Sequence, residues 1–276
     1  MSNKNKNKNQ SDYMEVSSLG LFGGYVEKVA RYIINLSEEA AYQRISSKYN
    51  INGYKRIYFI HIRKTAGTSL NQMLLSLGGE DGGEVYHKLG ATLKRRLNSN
   101  GLVFTSNKYV LNKGNYFYGY SHTPIYDLKI PRDTYFITCF RDPVKRVISL
   151  YNMLKQIKRV NPKHPLALSE GKWLGESIED FLENAPRSVV LNQLYMFSRD
   201  LDVDEAISRV SNVNLVIYTE DFNNGIIKLN SELGIELESI CVRKTTYETE
   251  QSYNIESIKK TLKLEYDFLE KVKFLM

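Results

Sequence analysis

Lys64, Thr65, Ala66, Gly67, Thr68 and Ser69 form a short polar stretch between the apolar run Arg56–Ile62 and a helical pattern starting at Leu70. Each residue type suits the holding of an oxyanion. The lysine brings a mobile positive charge, the hydroxyls bring donors, and the glycine lets backbone N–H groups come close. A loop joining a strand to a helix N-terminus also aims unpaired N–H groups, and the positive end of the helix dipole, at one spot. The spacing is not that of a Walker A loop, which sets its lysine after the last glycine of a longer run. The same string could also be a plain capped helix start, and residue types alone leave both readings open.

A second oxyanion candidate lies in the stretch Phe140–Tyr151 (FRDPVKRVISLY). Arg141 ends a strand pattern, and its guanidinium can fork a phosphate. Asp142 before Pro143 predicts an N-cap and a first helical residue. Asp142 is therefore better used as a cap than as the metal-holding acid a kinase needs. Ser149 falls about two turns into that helix. The plainer alternatives are an Arg141–carboxylate pair and a surface serine.

Histidine is the side chain whose ordinary pKa lies closest to neutrality, so His61, His87, His122 and His164 are the candidate bases. His61 lies within the first strand pattern and predicts a packed, hydrogen-bonded ring. His164, between Pro162 and Pro165, reads as a surface or loop residue. His87 follows a glycine-rich break that fixes it nowhere. His122 ends a strand pattern, where polar loops gather.

The elements that must position these residues alternate. Strands are predicted at Arg56–Ile62, Tyr116–Ser121, Thr134–Phe140 and Val213–Tyr218. Helical patterns cover Leu19–Ser47, Leu70–Leu77, Pro143 to about Arg159, Ile178–Glu183, Val189–Phe197, the stretch after Tyr218 to about Leu233, and one long Ile255–Leu275 segment. Gly78, Gly79, Gly82 and Gly83 mark a flexible break, and Asn161–Gly175 reads as an irregular excursion shaping an acceptor site. This alternation predicts an α/β, P-loop-like three-layer fold, with a central mainly parallel sheet flanked by helices. In such a sheet the loops after Ile62, Ser121 and Phe140 share the ligand-binding edge.

Composition narrows the class further. With 276 residues, 42% hydrophobic and 25% charged, the chain can bury one sizeable core. We expect a polar tail at 1–17 and a single domain at 18–276. No apolar run approaches the roughly 18 residues of a membrane span. The Lys/Asn/Ser-rich start lacks the apolar core of a secretory signal. Cys139 and Cys241 fit neither a disulfide framework nor a zinc site, which predicts a cytoplasmic protein without a structural metal. A net charge of +7 suits an anionic ligand, but the Lys and Arg residues are scattered rather than striped, and no nucleic-acid module is recognisable.

Taken together, the Lys64–Ser69 and Arg141–Ser149 elements resemble the 5′-phosphosulfate loop and 3′-phosphate motif of sulfotransferases that use 3′-phosphoadenosine-5′-phosphosulfate (PAPS). The likeness is nearest to the carbohydrate branch holding the heparan sulfate and uronyl 2-O-sulfotransferases. It continues in order through Asn192-Gln193, Leu215–Phe222, the basic stretch Arg243–Thr246 and Leu264–Leu269, covering about Ile57 to the C-terminus. The resemblance implies a metal-independent sulfuryl transfer from PAPS to a hydroxyl-bearing acceptor, a saccharide being favoured. It implies that Lys64 to Ser69 hold the 5′-phosphosulfate, Arg141 and Ser149 the 3′-phosphate, and Lys244 with Thr245 the outer side of the nucleotide. His122 is the implied base, with His87 as the alternative, and Lys64 would stabilise the leaving phosphate. The chain departs from the pattern twice. Arg63 stands where many relatives have proline, and Tyr120 stands where the 2-O-sulfating enzymes have the first of two histidines. The competing readings are a P-loop kinase or other phosphotransferase, and a non-catalytic polyanion-binding protein.

Overall fold

The computed structural model describes residues 29–30, 39–238 and 253–275. The expected polar tail, most of the Leu19–Ser47 helical pattern, Cys241, Lys244 and Thr245 lie outside them. Six strands form one sheet: β1 (Arg56–Ile60), β2 (Arg96–Ser99), β3 (Leu102–Thr105), β4 (Tyr118–Ser121), β5 (Thr134–Phe140) and β6 (Leu215–Tyr218), in the order β2-β3-β4-β1-β5-β6. All neighbours run parallel except β2 and β3, which form an antiparallel hairpin at one edge. The central strand β1 is buried along its whole length and rich in β-branched and aromatic residues, as a strand covered on both faces must be.

Helices cover both faces. In chain order the first helices are α1 (Gly67–Leu75), α2 (Gly82–Ala91), α3 (Lys108–Lys113) and the long α4 (Pro143–Val160). Then come the short α5 (Pro165–Ser169), α6 (Ile178–Asn184), α7 (Arg187–Val190), α8 (Asn192–Tyr195) and α9 (Val203–Val210). The chain finishes with α10 (Phe222–Leu233), α11 (Ile255–Thr261) and α12 (Lys263–Leu275). The two-residue alternation of β1 divides the core. Ile57 and Phe59 pack with α1, α2 and α10, whereas Tyr58 and Ile60 pack with α8, α9 and α12. A third apolar cluster joins α4 to α6 and α11. The three-layer α/β fold predicted from the alternating pattern is thus the one observed. No helix among the described residues is long and apolar enough to cross a membrane.

Beyond shifts of about two residues at strand ends, the structure departs from the sequence expectations chiefly in four places. The β2–β3 hairpin and α3 fill a stretch for which no element was predicted. The glycines at 78–83 are not a loose break: Asp81 caps α2 by accepting from the Glu84 N–H at 2.8 Å. A Cβ on Gly82 would stand 1.9 Å from the Gln72 carbonyl oxygen, so this glycine permits close packing of α2 on α1. The excursion at 161–175 contains α5 and a 3-10 turn at Gly171–Trp173. The expected long terminal helix is two helices, broken at Leu262 (φ −92°, ψ 8°).

Candidate active site

Because β1, β4 and β5 are parallel neighbours, their C-terminal ends open on one edge of the sheet. The chain goes from β1 to β4 on one side and returns to β5 on the other. This is a topological switch point, where open α/β sheets bind ligands. The Lys64 loop, His122 and Arg141 follow these three strands.

In the loop after β1, Lys64 (φ 69°) and Ala66 (φ 61°) both adopt the left-handed conformation, though neither is glycine. Such residues cost free energy unless their surroundings hold them, and they gather at ligand sites. Ala66 occupies the N-cap of α1 and has no side chain to close the helix end. The Ser69 N–H turns back to the Ala66 carbonyl at 3.0 Å, which leaves the N–H groups of Gly67 and Thr68 at the helix start to face an anion. The Thr65 hydroxyl donates to the Ile62 carbonyl at 3.0 Å. That hydroxyl is spent on the turn, so Thr65 can serve an anion through its backbone N–H. Ser69 is buried, Thr68 half-buried, and Lys64 Nζ lies 3.6 Å from Met153 Sδ on α4.

A histidine forms the floor of this loop. A Cβ on Gly67 would come within 2.0 Å of His61 Nε2, so only glycine fits here. The Tyr118 hydroxyl donates to Asn71 Oδ1 at 2.6 Å, and the Asn71 amide faces His61 Nδ1 at 3.2 Å. Nδ1 thus accepts, and the His61 proton sits on Nε2. Burial holds the pKa of His61 well below the ordinary histidine range, and the neighbouring His122 and Arg63 push the same way. His61 is a neutral packing residue, as its place in the first strand pattern suggested.

His122 follows β4, its ring 4.1 Å from that of His61, centroid to centroid. Its Nδ1 lies 2.6 Å from the His61 carbonyl oxygen. A carbonyl can only accept, so Nδ1 carries the proton and Nε2 offers its lone pair. The residue as a whole is exposed, yet its ring packs against that of His61. That desolvation lowers its pKa, opposed by the bond to the His61 carbonyl; Arg63 lowers it further and Glu170 raises it. The other two histidines lie elsewhere. His164 Nδ1 accepts from the Leu166 N–H at 3.1 Å, capping α5. His87 is exposed on α2 beside Tyr86.

Arg141 follows β5 and reaches the loop directly, with its Nη1 donating to the Lys64 carbonyl at 3.2 Å. Its Nε is buried without a hydrogen-bond partner among the described residues. Such an incompletely satisfied guanidinium suits a further anionic ligand. Asp142 does cap α4, accepting from the Lys145 N–H at 2.9 Å, and it also accepts from the Tyr266 hydroxyl at 2.8 Å. Ser149 is buried on α4 rather than at the surface.

The arrangement relies on residues that residue-type reasoning did not single out as part of the site. The Gln193 amide grips the Arg141 backbone at both ends, accepting from its N–H at 2.8 Å and donating to its carbonyl at 3.0 Å. The Gln193 N–H in turn donates to Glu265 Oε1 at 2.7 Å. Glu265 Oε2 lies 3.5 Å from Arg146 Nε, both side chains fully buried. The Arg146 Nη2 also donates to the Val190 carbonyl. This chain of polar groups ties the last helix through α8 to the end of β5. The Arg63 guanidinium forks Glu170, with both contacts at 2.9 Å.

The sequence profile of the Sulfotransferase family matches residues 47–266. No curated protein matches the chain. Among solved structures, a sulfotransferase from Alicyclobacillus acidocaldarius is similar at 14% identity, covering 85% of this chain and 90% of its own, with a TM-score of 0.31.

Proposed function

The chain belongs to the sulfotransferase family, and from that premise we propose that it transfers a sulfuryl group from PAPS to a hydroxyl group, with a saccharide as acceptor. The single observation that carries the donor assignment is the anion loop itself. Two left-handed residues and an open helix N-terminus stand against the guanidinium of Arg141. Lys64, Thr65, Ala66, Gly67, Thr68 and Ser69 would hold the 5′-phosphosulfate. Arg141 with Ser149 would hold the 3′-phosphate, and Lys244 with Thr245 would cover the nucleotide. When bound, PAPS supplies a sulfuryl group already activated by its bond to a phosphate oxygen.

The chain's own residues then have three tasks: alignment, proton removal and charge stabilisation. His122 takes the acceptor's hydroxyl proton on Nε2, because Nδ1–H is committed to the His61 carbonyl. Its depressed pKa keeps the ring neutral, and so basic, at pH 7. As the acceptor oxygen bonds to sulfur and the sulfur–phosphate oxygen bond breaks, Lys64 offsets the charge collecting on that oxygen. Its ammonium lies 3.6 Å from the Met153 thioether, a weak acceptor. A saccharide acceptor is supported by the carbohydrate branch that the motifs resemble. Tyr120, in place of that branch's first histidine, stacks on Tyr86 and stands edge-on to His61, so the 2-hydroxyl preference is not carried over.

Calorimetry with 3′-phosphoadenosine-5′-phosphate (PAP), AMP and ATP, without metal, tests the donor assignment. We expect a clear preference for PAP that is lost in Arg141→Ala. Tighter binding of ATP with Mg²⁺, or no nucleotide binding at all, would overturn it in favour of a phosphotransferase or a polyanion-binding protein.

A further inference from the structure

The pair formed by Arg63 and Glu170 has no part in the roles assigned above. Arg63 immediately precedes Lys64, and its backbone N–H donates to Asn192 Oδ1 at 3.4 Å. The two side chains are 24% and 15% exposed. A two-point fork at that depth is stronger and more directional than an open surface pair. Glu170 lies between α5 and the 3-10 turn, where the Gly171 carbonyl accepts from Lys158 of α4 at 3.2 Å. One ion pair thus fastens the anion loop to the 161–175 stretch. Arg63 follows His61 by two residues, and the His61 ring lies 4.1 Å from that of His122, so the pair stands at the strand end that carries His122. Its two charges bear on His122 in opposite senses, Arg63 against protonation and Glu170 in favour of it, while burial keeps His61 itself neutral.

We propose that Arg63 and Glu170 form a charge-neutral clasp between the anion loop and the 161–175 stretch, with Glu170 a positioning residue that sets, through Arg63, the charge beside His122. The proposal rests on the reading of His122 as base. The position where many relatives have proline would here be held by an ion pair instead of by a rigid ring. Breaking the pair from either end leaves one uncompensated charge near the imidazole, and the two breaks have opposite signs. A merely structural contact would not produce that reversal.

The test is an NMR titration of the His122 ring in the full chain, for wild type, Glu170→Gln, Arg63→Gln and the double variant. Glu170→Gln leaves Arg63 unmasked and should lower the His122 pKa by about half a unit to one unit. Arg63→Gln leaves Glu170 unmasked and should raise it by a similar amount, and the double variant should return close to wild type. Arg63→Lys, which keeps the charge but loses the fork, should leave the pKa nearly unmoved and speed hydrogen exchange in residues 161–175. Unchanged titrations, or single variants that shift in the same direction, would overturn the clasp. These titrations need no bound nucleotide. A protein that fails to bind PAP yet shows the reversal would refute the donor assignment while leaving the clasp intact.

Discussion

The two sides of the site are built differently. On the donor side, buried polar groups fix the backbone. Gln193 grips Arg141 from both directions, Glu265 holds Gln193, and Arg146 faces Glu265 out of reach of water. On the proposed acceptor side, His122 is exposed, and the stretch beyond α4 holds one short helix and a 3-10 turn, tied by the Arg63–Glu170 pair and the bond from Lys158 to the Gly171 carbonyl. A phosphate must meet several N–H groups at once, so its cradle has to be rigid. The two-point Gln193 grip, anchored by Glu265, fixes the Arg141 backbone, although Arg146 Nε and Nη1 and Glu265 Oε2 make no hydrogen bond among the described residues. An acceptor needs one hydroxyl aligned, and the loops that align it can vary on a fixed scaffold. The comparison implies a division of labour: changes on the acceptor side should alter turnover alone, and changes on the donor side should alter binding and stability together.

The sharpest test of that division is His122→Ala. Transfer should fall by roughly 10²–10⁴-fold, the range for a positioned base, while PAP affinity stays within a few-fold of wild type. Single-turnover kinetics beside calorimetry reads both. Near-normal turnover would remove His122 from the chemistry, and a parallel loss of PAP affinity would blur the two sides into one. For the proposed base, the proton-free ring would be the active form, and its surroundings depress its pKa. The acid limb of kcat/KM should therefore lie below the ordinary histidine value of about 6.5.

The converse test lies on the donor side. Glu265→Ala removes the partner of a fully buried arginine and the acceptor of the Gln193 N–H. Breaking a buried pair from one end costs about 3–5 kcal/mol, and a denaturant titration should register a loss of that order. PAP affinity should fall as well, because Gln193 loses the anchor that holds it on Arg141. A stability loss with unchanged PAP binding would show that the network supports the fold without positioning the guanidinium.

The same contrast explains what could be read from residues alone. Thr134–Phe140 is a strand along its whole predicted length, a continuous β-rich run ended by Arg141 and the Asp142–Pro143 start signal. The first strand overran by two residues, since His61 and Ile62 stay buried after the ladder ends. A burial pattern cannot report where pairing stops. The proposed anion loop was legible because holding an oxyanion calls for particular residue types in consecutive order. Gln193 and Glu265 were visible only as members of resembling stretches. A polar residue in a helical pattern normally marks the solvent face, and these two are buried by partners distant in sequence. The break at Leu262 carries neither glycine nor proline, so nothing local announces it.

The β2–β3 hairpin did carry a signal. Asn100 and Gly101, both at positive φ (49° and 86°), form the two-residue turn between the paired Ser99 and Leu102, and Asn-Gly is the strongest short hairpin mark. It was obscured because the flanking strands are four residues long and β2 is largely polar, without a clear alternation. This edge lies two strands from β1 and contributes none of the proposed donor residues, so it is the natural control for the comparison. A Cβ on Gly101 meets nothing within 4 Å, so Gly101→Ala adds only the strain of a left-handed alanine. That strain is worth about 1–2 kcal/mol. Thermal unfolding should shift down by a few degrees, with PAP affinity and turnover unchanged. A loss of PAP binding in this variant would mean that the sheet carries strain from its edge to the anion loop, and the donor side would then owe its rigidity to the whole sheet instead of to the buried polar network around Gln193.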